Sequence, residues 1–331
     1  MTLQTLKNAS LDGIREPIDE ELKIFNKFFK EAMRSKVGLI DLIARYLVRQ
    51  KGKRVRPILV LLSAKACGEV NEKTYRAATL VEILHTATLV HDDVVDDADT
   101  RRGLASINAV WKNKVAVLMG DYLLSRGLLL SLEHQDYYFL HSTSNAVKRM
   151  SEGELLQIQK SRQLNIDEET YYRIIADKTA SLLSTCTDIG AASATEDPGK
   201  RQLMRQYGEH VGMAFQIRDD LLDYLGHRSV IGKPTGIDVK EKKLTLPIIH
   251  ALTAADRGDA RKALKIVKNG ASRKEVDWIV NFARANGGID YALAKAEEYA
   301  ALAKADLAGL PYSPAKESLL NFVEFVTSRE S

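Results

Sequence analysis

The sequence predicts an all-α protein, folded as one large helical bundle, and three observations predict the helices. Apolar residues recur at helical spacing through most of the 331 residues, only 7 prolines interrupt them, and residues 75–99 run without a breaker. That last stretch, "YRAATLVEILHTATLVHDDVVDDAD", is apolar on nearly all sides until its aspartates begin. Such a helix belongs at the centre of a bundle, since a surface helix would show a polar face.

The elements follow in order. "EELKIFNKFFKEAM" sets Leu22, Ile24, Phe25, Phe28 and Phe29 on one stripe, and "IDLIARYLV" and "RPILVLLSAKACG" continue the pattern. Pro57 fits the first turn of its helix and Gly68 its end. Loops are expected at "ADTRRGLAS", "LNIDEET" and "TEDPGK", and over the longer "LGHRSVIGKPTGIDVKEKKLT". No linker and no solenoid period divides the chain, so residues 1–331 read as a single domain. With 45% hydrophobic residues it has ample material for a core.

Composition excludes some functions. A net charge of +4, from 48 basic and 44 acidic residues, does not signal nucleic acid and leaves an anionic small substrate open. Cys67 and Cys186 lie far apart without a CxxC spacing, which favours core thiols in a reducing compartment over a disulfide. The first residues contain no apolar run resembling a signal peptide, and the most apolar stretch is interrupted by Ser125, Arg126 and Gly127. A soluble, cytoplasmic protein is expected.

Chemistry concentrates in "LVHDDVVDDADTRRG", residues 89–103, where five aspartates occupy eight positions. Like charges this close need a compensating cation. The pattern returns as "IRDDLLDY" at 217–224, so that Asp92, Asp93 and Asp96 are echoed by Asp219, Asp220 and Asp223. On a helix, carboxylates at i and i+4 stand about 40° apart, with i+1 at the edge of the same face. One DDxxD reads equally well as a solvated acidic face. Two copies on apolar helices point to a hard divalent cation, Mg²⁺ or Mn²⁺, bridging carboxylates to a diphosphate.

Matching cationic groups are present. "GKRVRP" places Lys53, Arg54 and Arg56 just ahead of a helix start, and Arg101 and Arg102 follow Asp92 by nine and ten residues. Lys178 and Thr179 in "ADKTASLL", with Lys233 and Lys243 in the glycine-bearing loop, are further candidates, although each alone reads as surface. His85 precedes Asp92 by seven residues, two turns up the same face; its alternative is a hydrogen-bonded core histidine.

These segments resemble the trans-isoprenyl diphosphate synthases. "GKRVRP", "EILHTATLVHDDVVDDADTRRG", "DKTA", "FQIRDDLLDY" and "GKPTGIDVKEKKLTLP" stand in that family's order and approximate spacing across residues 52–247. Lys51 departs from the glycine that many members carry before GKR. The resemblance implies the isoprenoid-synthase fold, a bundle around a central cavity and usually a homodimer, and a cluster of about three Mg²⁺ held by the six aspartates. It implies an isopentenyl diphosphate site at Lys53, Arg56, His85 and Arg102, and an allylic side at Arg101, Lys178, Thr179, Gln216, Lys233 and Lys243. Asp92, Asp96, Asp219, Lys178 and Arg101 would carry catalysis. The reaction would be ionisation to an allylic cation, attack by the isopentenyl double bond and loss of a proton, with no side-chain nucleophile.

Positions four, five and eight before the first motif, Thr88, Ala87 and Leu84, would line the top of a tunnel for the growing chain. Small residues at 87 and 88 leave it open, which implies an all-trans product of about C30–C50; a C20 geranylgeranyl or shorter farnesyl product is the alternative. Rival classes are a metal-dependent phosphohydrolase using His85, His91 and Asp92, a terpene cyclase, and a non-catalytic partner subunit of a synthase. The first would favour a transition metal and more imidazoles, the second would not need Lys53 and Arg56, and the third would be expected to lack aspartates or arginines. An apolar segment such as "VAVLMGDYLLSRGLLLSL" could supply a dimer interface, and the hydrophobic product suggests transient membrane contact. No nucleic-acid partner is expected.

Overall fold

Asn71 starts the helix that carries the first aspartate motif. Its side chain accepts from the N–H groups of Lys73 and Thr74, while Thr74 Oγ1 accepts from the Asn71 N–H, a reciprocal cap. The helix runs over Glu72–Val95 and stops on the motif itself: Asp96 has φ −90° and ψ 1°, with its N–H donating to Asp92 O at 2.8 Å. The expectation that all three aspartates ride on helix therefore fails by one residue. Asp97, at φ +48°, then turns the chain away.

The computed structural model describes residues 10–50, 52–163, 165–225 and 237–328, and these are almost wholly helical. In chain order the main helices are α1 (Asp19–Ala32), α2 (Gly38–Arg49), α3 (Val55–Cys67), α4 (Glu72–Val95), α5 (Ile107–Glu133), α6 (Tyr137–Gln163), α7 (Glu168–Ile175), α8 (Ser181–Ala194) and α9 (Pro198–Leu225). They are followed by α10 (Leu246–Ala254), α11 (Arg257–Asn269), α12 (Arg273–Ala285), α13 (Gly288–Asp306) and α14 (Pro314–Thr327). Pro57 stands in the first turn of α3 and Gly68 caps its end, as the sequence predicts. Stretch "ADTRRGLAS", expected as loop, instead carries a two-residue hairpin, β1 (Thr100–Arg101) against β2 (Leu104–Ala105). On α1 only Phe25 and Phe29 are buried, and Ile24 is 40% exposed; at 100° per residue Ile24 falls off the edge of the stripe.

The chain divides into two compact units, one of Met1–Ser144, Thr185–Met204 and Leu310–Leu319, the other of Asn145–Ser184, Arg205–Gly309 and Leu320–Ser331. In the first, α4 packs along α5 and also against α3 and α1. Close approach within this unit depends on missing side chains: a Cβ at Gly190 would overlap the Val60 carbonyl of α3. The core of the second unit joins Ile217, Leu221 and Tyr224 of α9 to Ile174 and Ile175 of α7, with α10, α12 and α13 packed around them. Cys67 and Cys186 are free and buried, and burial pushes their thiols up to about 11 and about 12.

Helix α5 is long and apolar enough, by length and composition, to cross a membrane. Its buried residues, Ala116, Met119, Gly120, Leu123 and Gly127 among them, belong to the packing of the first unit. Arg126 lies in its midst, donating from Nε to Ala32 O at 3.2 Å.

Candidate active site

In the first unit three arginines, Arg54, Arg101 and Arg102, converge on one cavity. Arg54 is the N-terminal cap of α3 and adopts left-handed backbone, φ 48° and ψ 38°; its guanidinium bonds Asn26. Arg102, in the turn between β1 and β2, is also left-handed at φ 52°. For non-glycine residues such backbone costs on the order of 1 kcal/mol each and persists only where surrounding structure holds it. Both arginines, with Arg101, Glu82 and Asp93, line a cavity whose apolar wall includes Phe29, Leu47 and Val90. A Cβ at Gly52 would overlap the Arg102 guanidinium where it lies, so a side chain there would displace that group.

The aspartates of the first motif separate by environment. Asp92 and Asp96 are exposed, whereas Asp93 is 3% exposed and paired with Arg101, whose Nε and Nη2 lie 2.7 and 2.5 Å from Asp93 Oδ1. The Asp93 carboxylate is thus neutralised by a neighbour eight residues along the chain. His85 is 8% exposed, and burial first, then Arg56, Arg102 and Arg101, hold its pKa well below the usual value, so the imidazole is neutral. Its Nδ1 and the Arg56 Nε are both buried without a hydrogen-bond partner. Neither residue lines the cavity above, but buried nitrogens without a partner suit a polar ligand or an ordered water. Glu82 completes the cluster: burial raises its pKa, while Arg56, Arg102 and Arg54 lower it. A glutamate inside "LVEILH" is a buried-charge signal that the sequence reading passed over. Lys53 is exposed, and Leu84 and Ala87 are buried, with Thr88 half-buried and donating from Oγ1 to His85 O at 2.9 Å.

The second unit carries the other aspartate patch. Here Asp219 is exposed, Asp223 half-buried and Asp220 buried. Tyr171 OH donates to Asp220 Oδ2 at 2.7 Å, Gln216 Nε2 donates to Asp220 Oδ1 at 2.8 Å, and Thr179 Oγ1 donates to Gln216 Oε1 at 2.7 Å. Thr179 and Lys178 are placed by a widened turn, Ala176–Ala180, in which the Ser181 N–H donates five residues back to Ala176 O. Such π-type turns recur at functional sites because they redirect side chains out of the regular helical register. Lys178 Nζ reaches Glu154 Oε2 at 2.5 Å and Gln157 Oε1 at 3.2 Å. Lys243 Nζ reaches Glu241 Oε2 at 2.5 Å. All of these groups except Glu154, Glu241, Asp219 and Asp223 line one cavity of ≈ 90 Å³. Lys233 lies outside the described residues.

Asp238 joins the patch from outside the motif; its N–H donates to Asp223 Oδ2 at 3.0 Å. Burial, then Asp238, pushes Asp220 up to about 7, and burial, then Asp223, pushes Asp238 up to about 6. Burial and mutual repulsion both disfavour the ionised carboxylates, which is the condition a bound divalent cation relieves. Among the described residues no three His, Cys, Asp or Glu side chains form a cage of their own. Mg²⁺ does not require one, since one or two carboxylates plus substrate phosphate and water oxygens complete its shell. The residues present therefore fit this metal.

A stability prediction follows from these shifts. With Asp220 titrating near 7 when folded and near 3.8 when unfolded, the folded state holds a proton that the unfolded state has lost between those values. Stability is therefore lost as pH rises through this window, by up to about 4 kcal/mol from this group. Asp220→Asn is expected to raise the melting temperature of the metal-free protein more at pH 8 than at pH 5. Equal changes at both pH values would show that Asp220 is not a buried charge.

Comparison with known proteins adds to this geometry. Residues 37–283 match the profile of the polyprenyl synthetase family. The all-trans-nonaprenyl-diphosphate synthase (geranyl-diphosphate specific) of Rhodobacter capsulatus is 37% identical over 96% of this chain and 97% of its own. The octaprenyl diphosphate synthase of Escherichia coli strain K12 is 34% identical over 97% of this chain and 99% of its own. A crystal structure of a polyprenyl synthase from Caulobacter crescentus CB15, complexed with calcium and isoprenyl diphosphate, superposes with a TM-score of 0.88. It is 33% identical and covers 97% of this chain and 98% of that one.

Proposed function

The chain belongs to the polyprenyl synthetase family, and from that premise we propose that it uses Mg²⁺ to extend an allylic diphosphate with isopentenyl diphosphate into an all-trans product of about C30–C50. It is a transferase of the prenyl diphosphate synthase class. The observation that carries the reading is the second patch: buried Asp220 and half-buried Asp238, both with raised pKa, beside Lys178, Thr179 and Gln216. Mg²⁺, about three ions, supplies the positive charge that stabilises departing pyrophosphate. Asp92, Asp96, Asp219, Asp220 and Asp223 are the carboxylates that would bind such ions, with Asp93 contributing through its pairing with Arg101.

In this reading Arg101, Lys178, Thr179, Gln216, Lys233 and Lys243 hold the allylic diphosphate, and Lys53, Arg56, His85 and Arg102 hold isopentenyl diphosphate. The allylic C–O bond breaks, pyrophosphate leaves, the isopentenyl double bond joins the allylic carbon, and the proton then released from the new cation goes to pyrophosphate. Neutral His85 and the Arg56 guanidinium, each with a buried nitrogen lacking a hydrogen-bond partner, would orient the acceptor. Small Ala87 and Thr88 support a long product, as do the nonaprenyl and octaprenyl names of the two relatives. Val110, Val117, Leu118, Leu129 and Leu132, exposed along α5, support a homodimer. The chain would then work as a soluble, cytoplasmic, single-domain synthase touching membranes only transiently.

The test is incubation with isopentenyl and farnesyl diphosphates and Mg²⁺. Elongation matched by pyrophosphate release is expected; release without elongation overturns the reading. Lys53→Ala is expected to raise the KM for isopentenyl diphosphate about tenfold, the equivalent of one charge-assisted phosphate contact, and that for the allylic substrate less. Equal increases in both would undo the assignment of Lys53.

A further inference from the structure

Four side chains of the second unit form one unbroken hydrogen-bonded chain. Tyr171 of α7 donates from OH to Asp220 Oδ2 at 2.7 Å, Gln216 donates from Nε2 to Asp220 Oδ1 at 2.8 Å, and Thr179 donates from Oγ1 to Gln216 Oε1 at 2.7 Å. An ionised carboxylate only accepts, so Asp220 decides which way the Gln216 amide faces, and the amide oxygen then takes the Thr179 proton. The orientation of all three follows from the carboxylate.

Gln216 and Asp220 lie four residues apart on α9, so the bond between them is local, whereas Tyr171 comes from 49 residues away in sequence. Held by Gln216 alone, the carboxylate could turn about its Cβ–Cγ bond; the Tyr171 hydroxyl pins the second oxygen. Tyr171 is 3% exposed, packs edge-on to Tyr172 with ring centroids 5.6 Å apart and belongs to the apolar core of the unit. Its ring alone would serve that core, and its hydroxyl is spent on the buried carboxylate of the second motif. Tyr171 and Thr179 are eight residues apart, which sets them about 80° apart in a regular helix. The extra residue of the widened turn over Ala176–Ala180 narrows that angle, and both residues line the cavity of ≈ 90 Å³ together with Gln216 and Asp220.

We propose that Tyr171 is a positioning residue of this site: by fixing Asp220 it sets the Gln216 amide and the Thr179 hydroxyl in the orientation that receives a metal-bound allylic diphosphate. Tyr171 acts through Asp220, where its own proton is spent. The inference rests on the synthase reading above.

The probe is Mg²⁺ with inorganic pyrophosphate, read first without turnover. Wild-type protein is expected to melt higher as Mg²⁺ is raised at fixed pyrophosphate, since a ligand that binds only the folded chain raises its melting temperature. Tyr171→Phe, which keeps the ring, is expected to need about tenfold more Mg²⁺ for half of that rise, the scale of one charge-assisted hydrogen bond. In turnover the same variant is expected to raise the KM for the allylic diphosphate and to leave that for isopentenyl diphosphate unchanged. A role in packing alone would lower the metal-free melting temperature and leave the Mg²⁺ midpoint at its wild-type value; that result overturns the proposal, as do equal increases in both KM values. In an Asp220→Asn background, Tyr171→Phe is expected to move the midpoint no further than Asp220→Asn does, and this pair is read instead should Tyr171→Phe by itself fail to fold. An additional loss in that background overturns the proposal, and so does a wild type whose melting Mg²⁺ and pyrophosphate leave unchanged. Pyrophosphate release without elongation by wild type would instead overturn the synthase reading, while the Mg²⁺ midpoints would still decide the role of Tyr171.

Discussion

Asp219→Ala is expected to lower turnover by about 10³-fold or more while leaving the fold intact, the scale set by removing a charge-stabilising group from a transition state. Asp219 is exposed, so its loss opens no cavity. It also raises the pKa of both Asp220 and Asp238, and its removal relieves that repulsion rather than creating strain. Activity and stability should therefore part company: kcat falls while the metal-free melting temperature holds or rises. Asp92→Ala should behave alike, since Asp92 is exposed on the last turn of α4. Asp93→Ala should not. That substitution strands Arg101 beside a buried vacancy and is expected to destabilise the first unit, because breaking a buried pair leaves a charge without its partner. Steady-state kinetics and melts of the three variants decide the matter. Near-wild-type turnover of Asp219→Ala would make the second motif structural and remove the ground for the proposed chemistry.

That contrast within one DDxxD marks where the sequence stops being legible. Helix content, the Pro57 start, the Gly68 stop and the two acidic patches could be read directly, because periodicity, caps and i, i+4 spacing are local properties. The fate of Asp93 is not local. It depends on a hairpin whose strands are two residues long, too short to show alternation; Gly103, at φ +77°, marks the turn but not what Arg101 pairs with. The widened turn over Ala176–Ala180 is equally silent, since "ADKTA" has nothing to distinguish it from ordinary helix. Asp238 lies fifteen residues beyond Asp223 and becomes part of the patch only when the chain folds back to it. Glu82 and Gly52 were readable in kind, as a charge in an apolar run and a glycine before a helix, but what each touches is tertiary information.

Ala87→Phe is expected to have the largest effect on what the enzyme makes. Ala87 is 2% exposed and shares with Leu84 the arc of α4 that faces the seam with α5. In the reading proposed above, a benzyl group at 87 would stand across the path of the growing chain. Products should then shorten to about C15–C20, while early condensations continue, since neither the arginine cavity nor the aspartate patches have changed. Overpacking a close-packed helix typically costs about 1–3 kcal/mol, so a lowered melting temperature is expected as well and must stay above the assay temperature for the products to be read. The measurement is chromatography of dephosphorylated products beside wild type. A folded variant that still makes the long product would place Ala87 against a neighbouring helix and not on the path, and the case for a long chain over C20 would then rest on the two relatives alone.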